Sequence, residues 1–261
     1  MEYQQVTVEQ EGRVRVVFMN RPEKRNALSE KMAAELIAAL EEADADPGVG
    51  AVVLSGKGDA FCAGGDLADF AQMAAKTAPV LHREGAASTE LFKAGQKMSK
   101  PLVAAVNGHA MGGGCGLVAM CHLAVASEKA KFGTPEIKVG MFPFVIFPLL
   151  VRAVGARRAL EMALTGRFLD AAEAERFGLV NRVLPEETFF PETIKLAAGL
   201  AEKSPLVMRL GLNACYTTMD MEINKAFDYL NTLRVIDFMS EDLKEGAMAF
   251  IQKRSPQWKG Q

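Results

Sequence analysis

Short apolar runs alternate with helix-spaced apolar positions along the first half of the chain. Residues 14–19 and 51–55 are valine-rich apolar runs that predict two strands. Between them, apolar residues recur every three or four positions after Ser29, whose side chain is suited to cap a helix. A strand, a helix and a second strand are therefore expected in this part of the chain.

The same order of elements returns further along the sequence. Residues 102–106 predict a short apolar strand, residues 113–120 a helix and residues 123–126 another strand. Alternation of this kind favours β–α units with parallel pairing. Residues 68–97 are rich in Ala, Met, Glu and Lys and are expected to be mainly helical, with a break at Pro79.

From residue 157 onward the spacing is mostly helical and is interrupted by prolines. The chain is therefore predicted to consist of an α/β core over residues 1–187 and a helical region over residues 188–261. The second part is too short to bury a large core of its own. We expect it to pack on the first part or on another subunit, so oligomerisation is expected.

The composition is typical of a folded domain and excludes several classes of partner. Hydrophobic residues make up 49% of the 261 residues and charged residues 24%, far from the composition of disordered chains. The net charge is −2, so no nucleic-acid partner is expected. Four scattered cysteines are too few for a disulfide framework, and residues 1–11 lack the features of a signal peptide. A cytoplasmic location is therefore expected.

Residues 101–127 contain no charged residue, which raises the question of a membrane span. The segment holds five glycines, an asparagine and two histidines, whereas a span is more uniformly apolar. It is therefore interpreted as a buried strand, a tight turn and a buried helix, and no membrane partner is expected.

Several common catalytic and cofactor motifs are missing from the sequence. The chain has neither a phosphate-binding P-loop nor a Gly-x-Ser-x-Gly nucleophile motif. Residues 112–114 fit the first half of a dinucleotide-binding motif, but Leu117 stands at its third glycine. Cys115, Cys121 and His122 lack a second pair of ligands, so no metal site is predicted.

Two glycine-containing turns follow predicted strands and are the strongest candidates for a site. Residues 60–67 (AFCAGGDL) follow the strand at 51–55, and residues 107–114 (NGHAMGGG) follow the strand at 102–106. Glycines let a backbone N–H approach a ligand closely, and the second turn opens a helix whose first N–H groups favour negative charge. Together the turns are suited to form an oxyanion hole, although the same glycines also suit simple tight connections.

These turns, together with residues 20–28 (NRPEKRNAL) and 132–136 (FGTPE), closely resemble the enoyl-CoA hydratase/isomerase, or crotonase, family. The resemblance covers nearly the whole chain and rests on several motifs in fixed order. It implies an α/β fold built as a crotonase-like spiral of ββα units, with a C-terminal helical region that makes trimer contacts. It also implies an acyl-CoA substrate, no cofactor besides the CoA of that substrate, and a homotrimer or hexamer.

By this resemblance, the N–H groups of Ala63 and Gly113 bind the thioester oxygen, and Glu136 matches one of the family's two catalytic glutamates. The place of the other glutamate is taken by Gly116, which has no side chain. One glutamate is enough to move a proton between two carbons, which favours isomerisation, whereas typical hydratases of the family use two. Hydration by one glutamate, hydrolysis or decarboxylation of an acyl-CoA, and CoA binding without catalysis remain open as alternatives.

The resemblance also implies a set of residues that hold the substrate, the last two supplied by a neighbouring subunit: Arg21, Lys24, Ala27, Asp66, Gly116, Phe250 and Lys253. Basic side chains suit the phosphates of CoA, and Asp66 is expected either to support the first donor turn or to act directly. The apolar segment 141–147 departs from the glycine-rich loop of many relatives, so the acyl group is not predicted.

Overall fold

The protein folds around two β-sheets. The computed structural model describes residues 3–66 and 76–261. The larger sheet has the strand order β1-β2-β3-β5-β7-β10, and the smaller sheet has the order β4-β6-β8-β9. Within the described residues, the strands are β1 (Val6–Glu11), β2 (Val14–Met19), β3 (Ala51–Gly56), β4 (Ala60–Cys62), β5 (Leu102–Val106), β6 (His109–Met111), β7 (Leu123–Ser127), β8 (Lys131–Gly133), β9 (Phe168–Asp170) and β10 (Arg182–Leu184).

Helices cover both faces of the larger sheet. In the same described residues, the α-helices are α1 (Glu30–Ala45), α2 (Ala78–Lys97), α3 (Gly113–Met120), α4 (Phe147–Val154), α5 (Ala156–Thr165), α6 (Ala171–Phe177), α7 (Glu186–Ala201), α8 (Pro205–Thr218), α9 (Ile223–Met239) and α10 (Glu241–Gln252). Short 3-10 helices span Pro22–Lys24 and Pro135–Val139. None of these described helices is both long and apolar enough to cross a membrane.

Three consecutive units each supply one strand to each sheet. In the pairs β3–β4, β5–β6 and β7–β8, the first strand joins the larger sheet and the second joins the smaller one. Neighbouring units pair in parallel in both sheets. Parallel pairing requires the chain to cross back between units, so the chain winds as a spiral. This arrangement confirms the fold that the resemblance implies.

Alternate residues of the larger sheet enter two separate cores. On β2, Val17 and Met19 belong to the core shared with α1 and α3, whereas Val16 and Phe18 belong to a second core that includes Phe189 of α7. Neighbouring side chains of a strand point to opposite faces of the sheet. Burial of both faces explains why these strands are continuous apolar runs in the sequence.

The predicted elements of the core are confirmed with small changes. β2, β5 and α3 have the predicted bounds, and β3 and β7 are each one residue longer. Ser29 caps α1 by accepting a hydrogen bond from the Met32 N–H. Pro79 lies in the first turn of α2, where a proline removes no helical hydrogen bond, so the interruption predicted there coincides with the start of this helix. Residues 68–75 of that predicted helix, and residue 67 of the first glycine turn, lie outside the described residues.

The sequence analysis misses β1 and the five strands that are three residues long. These short strands are β4, β6, β8, β9 and β10. Three residues carry too little periodicity to indicate a strand. The missed strands β4, β6 and β8 matter for function, because each leads into a segment that carries a candidate site residue.

The first helix of the predicted helical region packs on the sheet. The predicted boundary between residues 187 and 188 falls inside α7, whose Phe189, Ala197 and Ala201 enter the second core. The later helices α9 and α10 instead leave several large apolar side chains exposed. The division of the chain into two parts stays a prediction.

Candidate active site

The two glycine turns lie against each other beyond the carboxyl ends of β4 and β6. Gly64 has a φ of 95°, in the left-handed region that favours glycine. A Cβ at this position would lie 2.8 Å from the carbonyl oxygen of Met111 and 3.5 Å from the nitrogen of Gly113. A larger residue would push the turns apart. Glycine at position 64 therefore permits the contact between the two turns.

The main-chain N–H groups of Gly65 and Gly113, one in each turn, have no hydrogen-bond partner among the described residues. Leu28 and Gly65 form an isolated parallel bridge, which uses the carbonyl of Gly64 (2.7 Å from the Leu28 nitrogen) and the N–H of Asp66 (3.1 Å from the Leu28 oxygen). The Gly65 N–H itself takes no part in this bridge. The Gly113 N–H begins α3, where the first N–H groups have no acceptor within the helix.

The N–H of Ala63, assigned above as the first donor, is already paired. It donates to the carbonyl oxygen of Arg25 at 2.9 Å. A paired amide must lose its hydrogen bond before it binds a substrate oxygen, which costs free energy. The assignment of Ala63 is therefore corrected: the free N–H in this turn lies two residues further along, at Gly65.

Glu136 approaches the second turn from the segment that follows β8. It lies in the first turn of the 3-10 helix Pro135–Val139. A Cβ at Gly112 would lie 2.8 Å from Glu136 Oε1, so the carboxyl group lies directly against the turn that presents Gly113. Glu136 Oε2 is buried and has no hydrogen-bond partner among the described residues.

The environment of Glu136 suits proton transfer. Burial raises the pKa of this carboxyl group above its ordinary value of 4.5, because the charged form loses hydration. A hydrogen bond from its own backbone N–H acts in the opposite direction but is the smaller effect. A carboxyl group with a raised pKa can both accept and return a proton more readily than an exposed glutamate.

Gly116 lies in α3, three residues after Gly113, and its neighbours explain why it has no side chain. A Cβ there would overlap Ile146 Cγ2 and would lie 2.9 Å from Phe92 Cε1. Protein interiors are close-packed and do not accommodate such contacts. Ile146 and Phe92 therefore occupy the space in which a side chain at position 116 would stand. Gly116, predicted to bind substrate, here makes room for these two apolar groups.

Asn26 ties residues 20–28 to the strand that leads into the first glycine turn. Its side chain is fully buried and donates to the carbonyl oxygens of Lys57 and Ala60 at 3.0 and 2.7 Å. It also accepts a hydrogen bond from the Arg21 N–H at 2.9 Å. The two bonds to Lys57 and Ala60 hold one backbone segment against the other, and the bond from Arg21 fixes the Asn26 side chain within its own segment.

Three of the predicted substrate-binding residues contact each other. The guanidinium group of Arg21 donates to the carbonyl oxygen of Ala27 at 2.9 Å and to Oδ2 of Asp66 at 3.2 Å. Both charged side chains are largely buried, at 16% and 17% exposure, so this ion pair is stronger than an exposed one. Arg21 and Asp66 therefore help to position the first glycine turn.

The other predicted substrate-binding residues are exposed. Lys24 lies on the surface, in the 3-10 helix Pro22–Lys24. Phe250 is 85% exposed near the end of α10, and Lys253 is the exposed residue that ends this helix. Their contacts with a substrate stay predictions.

Two buried cysteines and the half-buried His122 near α3 are held in structural contacts. Burial raises the pKa of Cys62 to about 12 and also raises that of Cys115, so both thiols are neutral and poor nucleophiles. His122 accepts from the Leu102 N–H at 2.8 Å, and its other ring nitrogen lies 2.9 Å from the Gly95 oxygen. Among the described residues, no three His, Cys, Asp or Glu side chains are grouped to hold a metal ion.

Sequence reasoning missed Gly65, Asn26, Phe92 and Ile146. Asn26 carried a usable signal in the sequence, because asparagine is enriched in the left-handed region of backbone conformation. The structure places this residue there, with a φ of 56°. Phe92 and Ile146 carried none, because they lie on elements that are distant in sequence from Gly116.

The contact between Gly116 and Ile146 predicts a specific coupling in stability. Gly116→Ala should lower the free energy of unfolding by about 1–3 kcal/mol through overpacking, which outweighs the gain of about 1 kcal/mol from alanine in a helix. Ile146→Ala alone should cost about 2–5 kcal/mol. In the double variant the smaller side chain at position 146 makes room for the Cβ at position 116. The total loss of stability should therefore be smaller than the sum of the two single losses by at least about 0.5 kcal/mol.

Urea unfolding of the unmodified protein, the two single variants and the double variant measures this coupling. Gly199→Ala in α7 is a matched control, because a Cβ there meets nothing within 4 Å, and it should leave stability unchanged or raise it. Additive losses in the Gly116 and Ile146 variants would show that the two positions do not compete for space.

Comparison with known proteins agrees with this fold. The family model for enoyl-CoA hydratase/isomerase matches residues 9–261. The crotonyl-CoA hydratase of Syntrophomonas wolfei is 36% identical over 257 residues, which cover 97% of each chain. The structure of enoyl-CoA hydratase subunit I from Geobacillus kaustophilus HTA426 has a TM-score of 0.93 at 37% identity and covers 100% of both chains. The enoyl-CoA hydratase of Mycobacterium smegmatis has a TM-score of 0.92 at 35% identity, covering 98% of this chain and 99% of that one. The chain therefore belongs to the enoyl-CoA hydratase/isomerase family of enzymes, which act on acyl-CoA substrates.

Proposed function

We propose that the enzyme holds the thioester oxygen of an enoyl-CoA between the N–H groups of Gly65 and Gly113 and moves a proton on the acyl chain with Glu136. The observation that carries the proposal is the buried, unpartnered carboxyl oxygen of Glu136 beside the turn of Gly113. An unpaired buried carboxyl group destabilises a fold. Its presence against the turn that carries the free N–H of Gly113 is best explained by a chemical role.

The chemistry of a thioester accounts for this combination of groups. Removing a proton from the carbon beside the thioester, or adding a nucleophile to an enoyl thioester, moves negative charge onto the carbonyl oxygen. Prearranged N–H donors stabilise this charge as it develops, and the loss of one such donor typically raises the barrier by about 2.7–4 kcal/mol. The positive end of α3 adds to the stabilisation at Gly113. Glu136 carries the proton in both directions.

The CoA part of the substrate is proposed to lie along residues 20–28. The exposed ammonium group of Lys24 suits a phosphate, while Arg21, Ala27 and Asp66 form one bonded group that supports both the CoA-binding segment and the first donor turn. No further cofactor is needed for proton transfer, because the base is a protein side chain. The cytoplasmic location expected from the sequence stays a prediction.

A homotrimer or hexamer is also part of the proposal. Five large apolar side chains on α9 and α10 are each at least 61% exposed: Phe227, Phe238, Met239, Phe250 and Ile251. Monomeric proteins rarely expose this much apolar surface, and association would bury it. Phe250 and Lys253 would then be able to reach the CoA bound to a neighbouring subunit.

Replacement of Glu136 tests the proposed proton carrier. Glu136→Gln preserves the shape of the side chain but removes the base, so kcat on an enoyl-CoA should fall by about 10²–10⁴-fold with the fold and CoA binding intact. Turnover of 2-enoyl-CoA and 3-enoyl-CoA is measured with product identification, and circular dichroism checks the fold. Glu11→Gln, at an exposed position of β1, is the matched control and should keep full activity. Unchanged turnover in Glu136→Gln, or release of free CoA or carbon dioxide as the main product, would contradict the proposal.

The pH dependence of kcat/KM tests the environment of Glu136. The ionised form is the base, so activity should be lost as the pH falls through the pKa of this group. Because burial raises that pKa, the acidic limb should have an apparent pKa above 4.5, the ordinary value for glutamate. An acidic limb at or below this value would show that the carboxyl group is solvated in the working enzyme.

The mass of the protein in solution tests the assembly. Size-exclusion chromatography with light scattering should give three or six times the chain mass of 28.2 kDa. A stable monomer with full activity would exclude a role for Phe250 and Lys253 in a neighbouring site.

A further inference from the structure

The side of α3 that carries Gly116 is covered by an apolar wall, defined here as Phe92, Ile146 and Leu28. A Cβ at Gly116 would overlap Ile146 and would lie 2.9 Å from Phe92 Cε1. A Cβ at Gly113 would lie 3.6 Å from Phe92 Cζ and 3.0 Å from Leu28 Cδ1. The ring of Phe92 therefore extends from the space beside Gly116 to the residue that presents the N–H donor.

The apolar wall contains no hydrogen-bonding group. The side chains of Phe, Ile and Leu have neither a donor nor an acceptor. Of the side chains nearest to Gly112, Gly113 and Gly116, only that of Glu136 ends in a polar group. Ile146 is only 3% exposed, so the wall is closed to solvent at this residue, whereas Leu28 and Phe92 are half-buried.

Addition of water makes a demand that the described residues around Gly116 do not meet. Hydration places a hydroxyl group on C3 and a proton on C2 of a 2-enoyl thioester, so the enzyme must hold a water molecule beside C3. A water molecule in a protein site needs two to four polar partners. Glu136 supplies one carboxyl group, and the apolar wall supplies no second partner.

Migration of the double bond makes no such demand. Glu136 takes a proton from C2 of a 3-enoyl thioester, and the electrons of the C–H bond move into a dienolate whose oxygen is held by Gly65 and Gly113. The protonated Glu136 then returns the proton to C4, and the double bond comes to lie between C2 and C3. The step starts and ends with the same carboxylate and needs no water.

We propose that Phe92 and Ile146 determine the reaction of this enzyme: by filling the space beside Gly116 they exclude water from the reacting carbons and select isomerisation of 3-enoyl-CoA over hydration of 2-enoyl-CoA. This inference rests on the proposed function. It goes further, because it assigns the choice of reaction to two apolar side chains rather than to the missing glutamate alone.

The ratio of two rates tests the inference on the full-length enzyme. Isomerisation of a 3-enoyl-CoA and hydration of a 2-enoyl-CoA of the same chain length are measured on one preparation. An unfolded fraction lowers both rates equally, so their ratio reports on the site and not on stability. The unmodified enzyme should isomerise at least about 100-fold faster than it hydrates, the factor that a missing proton-transfer partner typically costs.

Two double variants that differ by a single hydroxyl group provide the matched comparison. Gly116→Ser/Ile146→Ala opens the apolar wall and supplies a polar partner for water, whereas Gly116→Ala/Ile146→Ala opens it equally but stays apolar. An apolar cavity of this kind stays dry, so opening alone should not admit water. The serine variant should raise the ratio of hydration to isomerisation by about tenfold or more over the alanine variant.

The outcomes separate failure of this inference from failure of the proposed function. Hydration by the unmodified enzyme at a rate comparable with isomerisation would overturn the inference but leave the proposed function standing. Equal ratios in the two double variants would overturn it as well. Turnover of neither substrate by the unmodified enzyme would instead overturn the proposed function.

Discussion

The spacing of three parallel strands in the smaller sheet is the constraint on which the whole site depends. Gly65 follows β4, Gly113 follows β6 and Glu136 follows β8, and these strands are parallel neighbours. Parallel neighbours lie about 4.8 Å apart and end at the same edge of the sheet. Backbone pairing thus brings two N–H groups and a carboxyl group together. Gly64 has no side chain, so the first turn can lie against the Met111 carbonyl of the second turn.

Polar and apolar neighbours serve different purposes around this edge. Asn26 donates to the carbonyl oxygen of Ala60 at the start of the first glycine turn, and Arg21 donates to the side chain of Asp66 after Gly65, so both help to hold this turn in place. In the proposed function, this orients the Gly65 N–H before substrate binds. A donor that is already oriented stabilises developing charge without reorganisation. Apolar neighbours act on the electrostatics instead, because low polarity strengthens each of these interactions and raises the pKa of Glu136.

The sequence predicted those features that depend on long or repeated local patterns. Long apolar runs and helical spacing gave β2, β5 and α3 with correct bounds, and the glycine turns were found because glycine clusters after strands are unusual. The three-residue strands that align the site were missed, since their pairing is decided by distant segments. The same limit applies to Ala63: its N–H is paired with the carbonyl oxygen of Arg25, and this contact joins residues that are far apart in the chain.

Another long-range relation concerns Gly116, which stands in the place of a second glutamate. From the sequence, Gly116 signals only the loss of a carboxylate, and the space left behind is easily imagined as filled with water. The fold gives the opposite result, since Ile146, from the segment before α4, fills that space. Gly116 and Ile146 are therefore one feature, because neither a larger residue at 116 nor a smaller one at 146 preserves the packing. It follows that restoring an acid at position 116 alone would not recreate a two-glutamate site: the added side chain would have to displace a buried isoleucine before it reached the substrate.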